Sequence, residues 1–186
     1  MTGVEAERAL ILAEFAALRA ELDLRSKIRY EIVLFTIVML GTVAAIALHG
    51  PTPEPLALFA YPVFASLLSM LWIHNQRMSL RLSAYIAQAT QTHFGYRGWE
   101  LFNASAIDRK RWLDRFPIVG VLFLVAQVTA LLFGFSVLLR AQASAVPLTP
   151  FWLHVGWLAA GCGAAIFTAI VHFKFGRYDF RQFESH

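Results

Sequence analysis

Residues 151–173 read FWLHVGWLAAGCGAAIFTAIVHF, twenty-three residues without one Asp, Glu, Lys or Arg. A helix rises about 1.5 Å per residue, so a run of about 20 apolar residues crosses the roughly 30 Å hydrocarbon core of a bilayer. The rest of the chain decides whether this run is a buried core helix or a membrane span. Over 186 residues, 58% are hydrophobic, only 15% are charged, and mean hydropathy is +0.57. Soluble domains carry about 25% charged residues, so the membrane class is favoured.

Three more segments pass the same length test, at 32–48, 55–73 and 117–139, the first being the shortest. HGPTPEP at 49–55 and RAQASAVPLTP at 140–150 hold the prolines that end helices, which predicts two tight hairpins. Arg8, Arg19, Arg25, Lys27 and Arg29 precede the first span. Arg77, Arg81, Arg97, Arg109, Lys110, Arg111 and Arg115 lie between the second and third, and Lys174, Arg177 and Arg181 follow the fourth. Only Arg140 falls on the opposite side, so the positive-inside rule predicts cytoplasmic N- and C-termini and a cytoplasmic middle loop. The expected fold is an all-α polytopic membrane protein with four transmembrane helices. Its parts are a cytoplasmic amphipathic helix at 1–29, transmembrane hairpins at 30–74 and 117–173, a cytoplasmic helical loop at 75–116 and a cytoplasmic tail at 174–186. The first 28 residues mix acids and bases and lack the order of a signal peptide, so the N-terminus is expected to be retained. The net charge of +4 reads as membrane orientation and attraction to anionic lipid, with no nucleic-acid motif in view. Cys162 is the one cysteine, which excludes an intrachain disulfide and thiol redox pairs.

From 64 to 94 there is neither Pro nor Gly, so the second span is expected to continue past the membrane edge as a rod of roughly 45 Å. There Met78, Leu82, Tyr85 and Ala89 recur at helical spacing and leave Arg77, Arg81 and Gln88 to other faces. In the N-terminal segment Ile11, Phe15, Leu18 and Leu22 step 4, 3, 4 like a coiled-coil seam over two heptads, with i,i+4 pairs at Glu21–Arg25 and Asp23–Lys27. These two seams are the expected assembly surface: the N-terminal helix packs on the second helix, on copies of itself, or on the membrane, and the extension of the second span makes an inter-subunit contact or rests as a basic amphipathic helix on the headgroups. Further along, Trp99, Phe102, Trp112 and Phe116 interleave with basic residues. Arg109, Lys110, Arg111, Trp112 and Arg115 are the expected contacts to lipid headgroups. Asn103-Ala104-Ser105 matches a glycosylation sequon, but the expected topology puts it inside the cell.

Within the membrane, Gly156, Ala160, Ala164 and Thr168 form a four-residue stripe, and Ala126, Ala130 and Gly134 another. Both fit the small-xxx-small pattern of close helix packing. Polar residues at depth are few: Gln127 and Thr129 in the third span, Thr36, Thr42, Ser66, Ser69 and Ser136 elsewhere. No charged residue occupies a span centre, which weighs against proton pumps and ion-coupled transporters. Gln127 and Thr129 are the candidates for a pore lining or an interhelical polar contact.

His49 and His154 are expected at the outer membrane edge, and His74 and His172 at the inner edge. This layout resembles the bis-imidazole arrangement of di-haem four-helix cytochromes, and the resemblance implies haem b as an alternative cofactor with those four histidines as ligands. Against it, His49 abuts a Gly-Pro pair, and the eighteen residues between His154 and His172 put both at the boundary, so interfacial histidine is the cheaper reading.

No GxSxG, Walker loop, HExxH or paired carboxylate in an apolar setting occurs, so no catalytic residue, metal site or resident cofactor is expected. LWIHNQRMSLRLSAYI at 71–86 followed by GYRGWE at 95–100 resembles a pattern in small uncharacterised bacterial four-span membrane proteins. Some of those are suspected membrane effectors or accessories of phage defence, and the resemblance implies a similar role in a bacterial inner membrane. One 21 kDa bundle has little interior for a pathway, whereas several can surround one. The expectation is therefore a homo-oligomer that forms or regulates a pore. A b-type haem electron carrier and a non-conducting anchor for a cytoplasmic protein partner are the alternatives.

Overall fold

The computed structural model describes residues 3–49, 55–94, 109–143 and 150–176. They form four helices: α1 (Gly3–His49), α2 (Leu56–Phe94), α3 (Arg109–Ala143) and α4 (Phe151–Gly176), with no strand among the described residues. Each contains an apolar window long enough to cross a membrane, with mean hydropathy of 2.3, 2.0, 2.4 and 1.6 in chain order. The protein is thus an all-α, four-span membrane protein.

Two helix limits differ from the sequence reading. The N-terminal amphipathic segment and the first span form a single 47-residue helix, because neither Pro nor Gly interrupts the chain between Gly3 and Gly41. The third span's helix starts at Arg109, eight residues before Pro117, so that proline lies within the helix instead of opening it.

The helices divide between two compact units, Met1–Val33 with Leu71–Arg111, and Leu34–Met70 with Trp112–His186. In the first, Ile11, Phe15, Leu18 and Leu22 are half-buried. Ile11, Glu14, Phe15 and Leu18 line one small hollow with Tyr85 and Ala89 of α2, and the Tyr85 hydroxyl donates to Glu14 Oε1 at 3.0 Å. The 4-3 stepping then runs on through Arg25, Arg29 and Ile32, longer than the apolar residues alone reveal. Arg25 occupies its seam position half-buried by folding back on Glu21 (Nε to Oε1, 2.9 Å), and Arg29 bonds to Ser26 Oγ at 2.8 Å. Lys27 pairs with Glu31 at 3.9 Å. The side chains of α2 buried in this unit are Trp72, Ile73, Asn75, Ser79, Ile86 and Ala87, while Met78 and Leu82 are half-buried and Tyr85 is exposed. Asn75 and Ser79 tolerate burial because each donates to the carbonyl four residues earlier, at 3.0 and 2.9 Å.

The second unit is the tighter one. Ala47, Leu58, Tyr61, Ala65, Ala126, Ala130 and Val137 make its core, with Met39, Leu40, Val43 and Ala44 of α1 packed against it. The Tyr61 hydroxyl, fully buried, donates to the Thr36 carbonyl at 3.0 Å and ties α1 to α2. Half of α2's apolar window is buried, against 33% for α3 and 17% for α4, so α2 is the helix on which the other two converge. Phe59 and Pro62 meet Gly161, Ser66 meets Ala164 and Thr168, and Ser69 meets His172. The numbers rise together, so α2 and α4 run parallel. Leu58 and Phe59 meet Gly134, Ser66 meets Gln127, and α3 therefore runs antiparallel to α2.

Candidate functional site

The polar groups of the second unit gather where α2, α3 and α4 meet. Ser66 and Ser69 lie three residues apart on α2, and Thr168 and His172 four apart on α4, so each pair occupies one helix face and the two faces are opposed. Ser66 Oγ sits 2.9 Å from the Pro62 carbonyl, 2.9 Å from the Ala164 carbonyl and 2.8 Å from Thr168 Oγ1. Thr168 in turn donates to the Ala164 carbonyl at 3.0 Å. Both hydroxyl hydrogens are thereby drawn to carbonyls, which only accept, and the hydroxyl oxygens are left as acceptors.

Gln127 of α3 completes the cluster. Its Nε2 donates to Thr168 Oγ1 at 3.0 Å and Ser66 Oγ at 3.2 Å, with the Pro62 carbonyl 3.4 Å away. Three neighbouring oxygens that need donors fix the amide orientation, because a flipped amide would oppose its oxygen to the Pro62 carbonyl. Gln127 is fully buried, and its Oε1 has no hydrogen-bond partner. Such an acceptor costs about 1–3 kcal/mol.

One turn further along α2, Ser69 behaves differently from its neighbours. Ser66, Ser79 and Thr168 each donate to the carbonyl four residues earlier, whereas Ser69 Oγ lies 2.7 Å from His172 Nε2. With Ser69 as donor, the imidazole carries its proton on Nδ1 and Nε2 is the acceptor. Ser69 is 1% exposed and His172 7%. Phe123 stacks on the ring at a centroid distance of 6.1 Å and an interplanar angle of 29°. Gly120 closes the other contact: a Cβ there would lie 2.8 Å from His172 Nδ1 and 2.9 Å from Cγ. The glycine is required by the imidazole.

Of the residues the sequence singled out, Gln127 lies in this cluster, while Thr129, two positions on, is half-buried on a different side of α3. Ala126 and Ala130 are buried, and Gly134 packs so tightly on Phe59 that a Cβ would come within 2.6 Å of its ring. The stripe on α4 divides. Thr168 is buried and Ala164 half-buried, but Gly156 and Ala160 are exposed, with nothing within 4 Å of a Cβ at Gly156. The close approach is made by Gly161, where a Cβ would lie 2.8 Å from the Phe59 carbonyl oxygen and 3.0 Å from Leu131 Cδ2.

The histidines separate likewise. His74 is exposed, whereas His154 and His172 are 1% and 7% exposed and are core side chains, not headgroup contacts. An axial haem ligand must turn a ring nitrogen to the metal, and in His172 Nε2 holds Ser69 while the ring is wedged against Gly120. No group of three metal-ligating side chains occurs among the described residues. The His49 side chain and those of Arg109, Lys110, Arg111, Trp112 and Arg115 lie outside the described residues, as do the GYRGWE segment and the Asn103 sequon.

The sequence reading missed Pro62, Gly120, Phe123 and Gly161 as partners of these side chains. A usable signal was the matched spacing of Ser66/Ser69 and Thr168/His172, two polar pairs one turn apart in helices that are otherwise apolar. No protein-family model, no curated protein and no solved structure matches this chain.

Proposed function

We propose that this protein is the subunit of a homo-oligomer in a bacterial inner membrane, with both termini cytoplasmic, and that the assembly forms or regulates a pore between subunits. The observation that carries the reading is how the spans distribute their polar and small residues. Ser66, Thr168, Gln127, Ser69 and His172 bond to one another inside one bundle, so among the described residues these polar groups line no path through a single subunit. On α4, by contrast, Gly156, Ala160, Cys162 and Gly163 are exposed, and nothing lies within 4 Å of a Cβ at either glycine. Small residues on a lipid-facing surface let a second helix approach closely. The paired helices around Tyr85 and Glu14 supply a further surface, suited to assembly or to a cytoplasmic protein partner. A role as a phage-defence effector is supported by the resemblance of residues 71–86 and 95–100.

Cys162, on the exposed face of α4, makes the test direct. Oxidative cross-linking in native membranes is expected to yield a disulfide-linked dimer that disappears in Cys162→Ser. Native mass spectrometry is expected to give four or more copies, with ion flux through proteoliposomes above that of empty vesicles. A monomer whose flux equals the empty-vesicle rate sinks the proposal.

A further inference from the structure

We propose that Ser69 and His172 are a nucleophile and general-base pair that cleaves a carboxylic ester of a membrane lipid. This activity is separate from pore formation and does not depend on it. Three observations carry the inference. The first is the bond itself: Ser69 Oγ to His172 Nε2 at 2.7 Å lies within the reach that activates a serine by an adjacent base, and Ser69 has given up the backbone bond that Ser66, Ser79 and Thr168 all keep. The second is orientation. The imidazole is held by Phe123 on one side and by the glycine backbone at 120 on another, so its Nε2 stays aimed at the hydroxyl. The third is depth. Ser69 lies four residues, about 6 Å, inside the end of the apolar run at Ile73, and His172 is adjacent to the end of its own run at Phe173. That is the border between hydrocarbon and headgroup, where the acyl ester linkages of glycerolipids lie. Met70 and Phe173, about 100° round their helices from the pair, are 46% and 63% exposed, so lipid flanks a dyad that is itself 1% and 7% exposed and that an acyl ester reaches by parting α2 from α4.

The chemistry closes with water as the only co-reactant. Ser69 Oγ attacks the ester carbonyl carbon while its proton passes to His172 Nε2. The tetrahedral adduct collapses, the bond to the alkoxy oxygen breaks, and the proton on Nε2 goes to the departing oxygen, leaving acyl-Ser69 and an alcohol. Water, giving a proton to His172, then attacks the acyl carbon and releases the fatty acid, and the proton returns to Ser69. Gly120 is a positioning residue, because any larger side chain there displaces the imidazole.

The test uses the full-length wild-type protein in vesicles of phosphatidylethanolamine and phosphatidylglycerol, with an alkyl fluorophosphonate as probe. Peptide mass spectrometry is expected to find the phosphonyl group on Ser69. Labelling is expected to fall at least tenfold in His172→Gln and in Gly120→Ala, and the untreated vesicles should accumulate lysolipid and free fatty acid. Because the adduct is mapped on the wild type, its presence or absence does not depend on a variant's folding. A protein that stays unlabelled, or is labelled at another residue, overturns the proposal and leaves the bond as a helix-to-helix tie. Labelling at Ser69 that persists in His172→Gln also overturns it, by removing the base. Ion flux measured on the same vesicles reports the pore reading independently.

Discussion

Gly156 and Gly161 stand five residues apart in one helix, and the same substitution should affect them in opposite directions. At Gly156 an added methyl meets nothing within 4 Å. At Gly161 it comes to 2.8 Å from the Phe59 carbonyl oxygen, 3.0 Å from Leu131 Cδ2 and 3.4 Å from Pro62 Cγ. The Leu131 methyl can swing aside, but the Phe59 oxygen is backbone in a helix already committed at Pro62, so α2 and α4 must separate by about half an ångström to restore ordinary contact. Forcing a methyl into a packed interface costs about 1–3 kcal/mol. Replacing helical Gly by Ala returns up to about 1 kcal/mol at either site, a term that cancels when the two variants are compared. Gly161→Ala should therefore be less stable than Gly156→Ala by about 1–3 kcal/mol, a factor of roughly 5 to 150 in the unfolding equilibrium. Reversible unfolding in mixed micelles of rising denaturing-detergent fraction, followed by tryptophan fluorescence, measures the difference. With the subunits held apart by dilution into micelles, so that the Gly156 face meets no second copy, equal stabilities or a less stable Gly156→Ala would refute the parallel docking of α2 on α4 at Gly161.

Gln127→Leu should be close to neutral in the same assay. It forfeits two interhelical bonds worth about 0.6 kcal/mol each in membrane proteins, but it also removes the unpartnered buried Oε1, and Ser66 and Thr168 keep their carbonyl acceptors. A loss above about 2 kcal/mol would show that Oε1 makes an interaction of its own. The hydrogen bond to Glu14, followed by the charge of that carboxylate, holds the Tyr85 hydroxyl above its ordinary pKa of 10.0. A raised folded-state pKa means that this contact's stabilisation is fully present below pH 10 and is lost as the pH rises through the folded value. An ultraviolet titration of wild type minus Tyr85→Phe should give a midpoint above 10, lowered by Glu14→Ala, and an unshifted midpoint would deny the contact. For topology, alkaline phosphatase inserted between 144 and 149 should be active and the same enzyme fused after His186 inactive; the reverse would invert the expected orientation.

The four spans were legible because their signal is additive. Twenty apolar residues outweigh any single exception, and basic residues crowd three of the five segments that flank the spans. Single residues were less legible, for a physical reason visible along α1. Its seam reads as two heptads because Arg25, Arg29 and Thr36 are polar, yet all three occupy buried or half-buried seam positions. Each arginine is held locally, Arg25 by the Glu21 carboxylate and Arg29 by a hydrogen bond to Ser26, and such an i,i+3 or i,i+4 pairing hides a seam position from any count of apolar residues. The α4 stripe shows the converse. Gly156, Ala160 and Ala164 share a period with true contacts, but a membrane helix is apolar all round, so periodicity of small residues cannot say which side meets protein and which meets lipid.

What separates protein-facing from lipid-facing sides in this chain is polarity. In hydrocarbon an amide or imidazole must find its partner toward another helix, whereas a hydroxyl can also bond its own helix, as exposed Thr42 does to the Val38 carbonyl, so buried polar groups mark the protein-facing side more firmly than exposed hydroxyls do. Applied to α4, the rule selects Thr168 and His172, four residues apart, and discards Gly156. Applied to α2 it selects Ser66 and Ser69. Joining the two pairs in the same direction gives the parallel register of these helices, and with it the placement of Gly161 against Phe59 and Pro62. Gln127, as the one amide of α3 at that depth, then has to face the same junction, and Gly120, seven residues earlier on the same face, meets His172. The cluster fixes the register of α2, α3 and α4 from five polar side chains, and the one of them whose hydroxyl turns from its own helix, Ser69 at 2.7 Å from His172 Nε2, is the one that carries the lipid-cleavage argument.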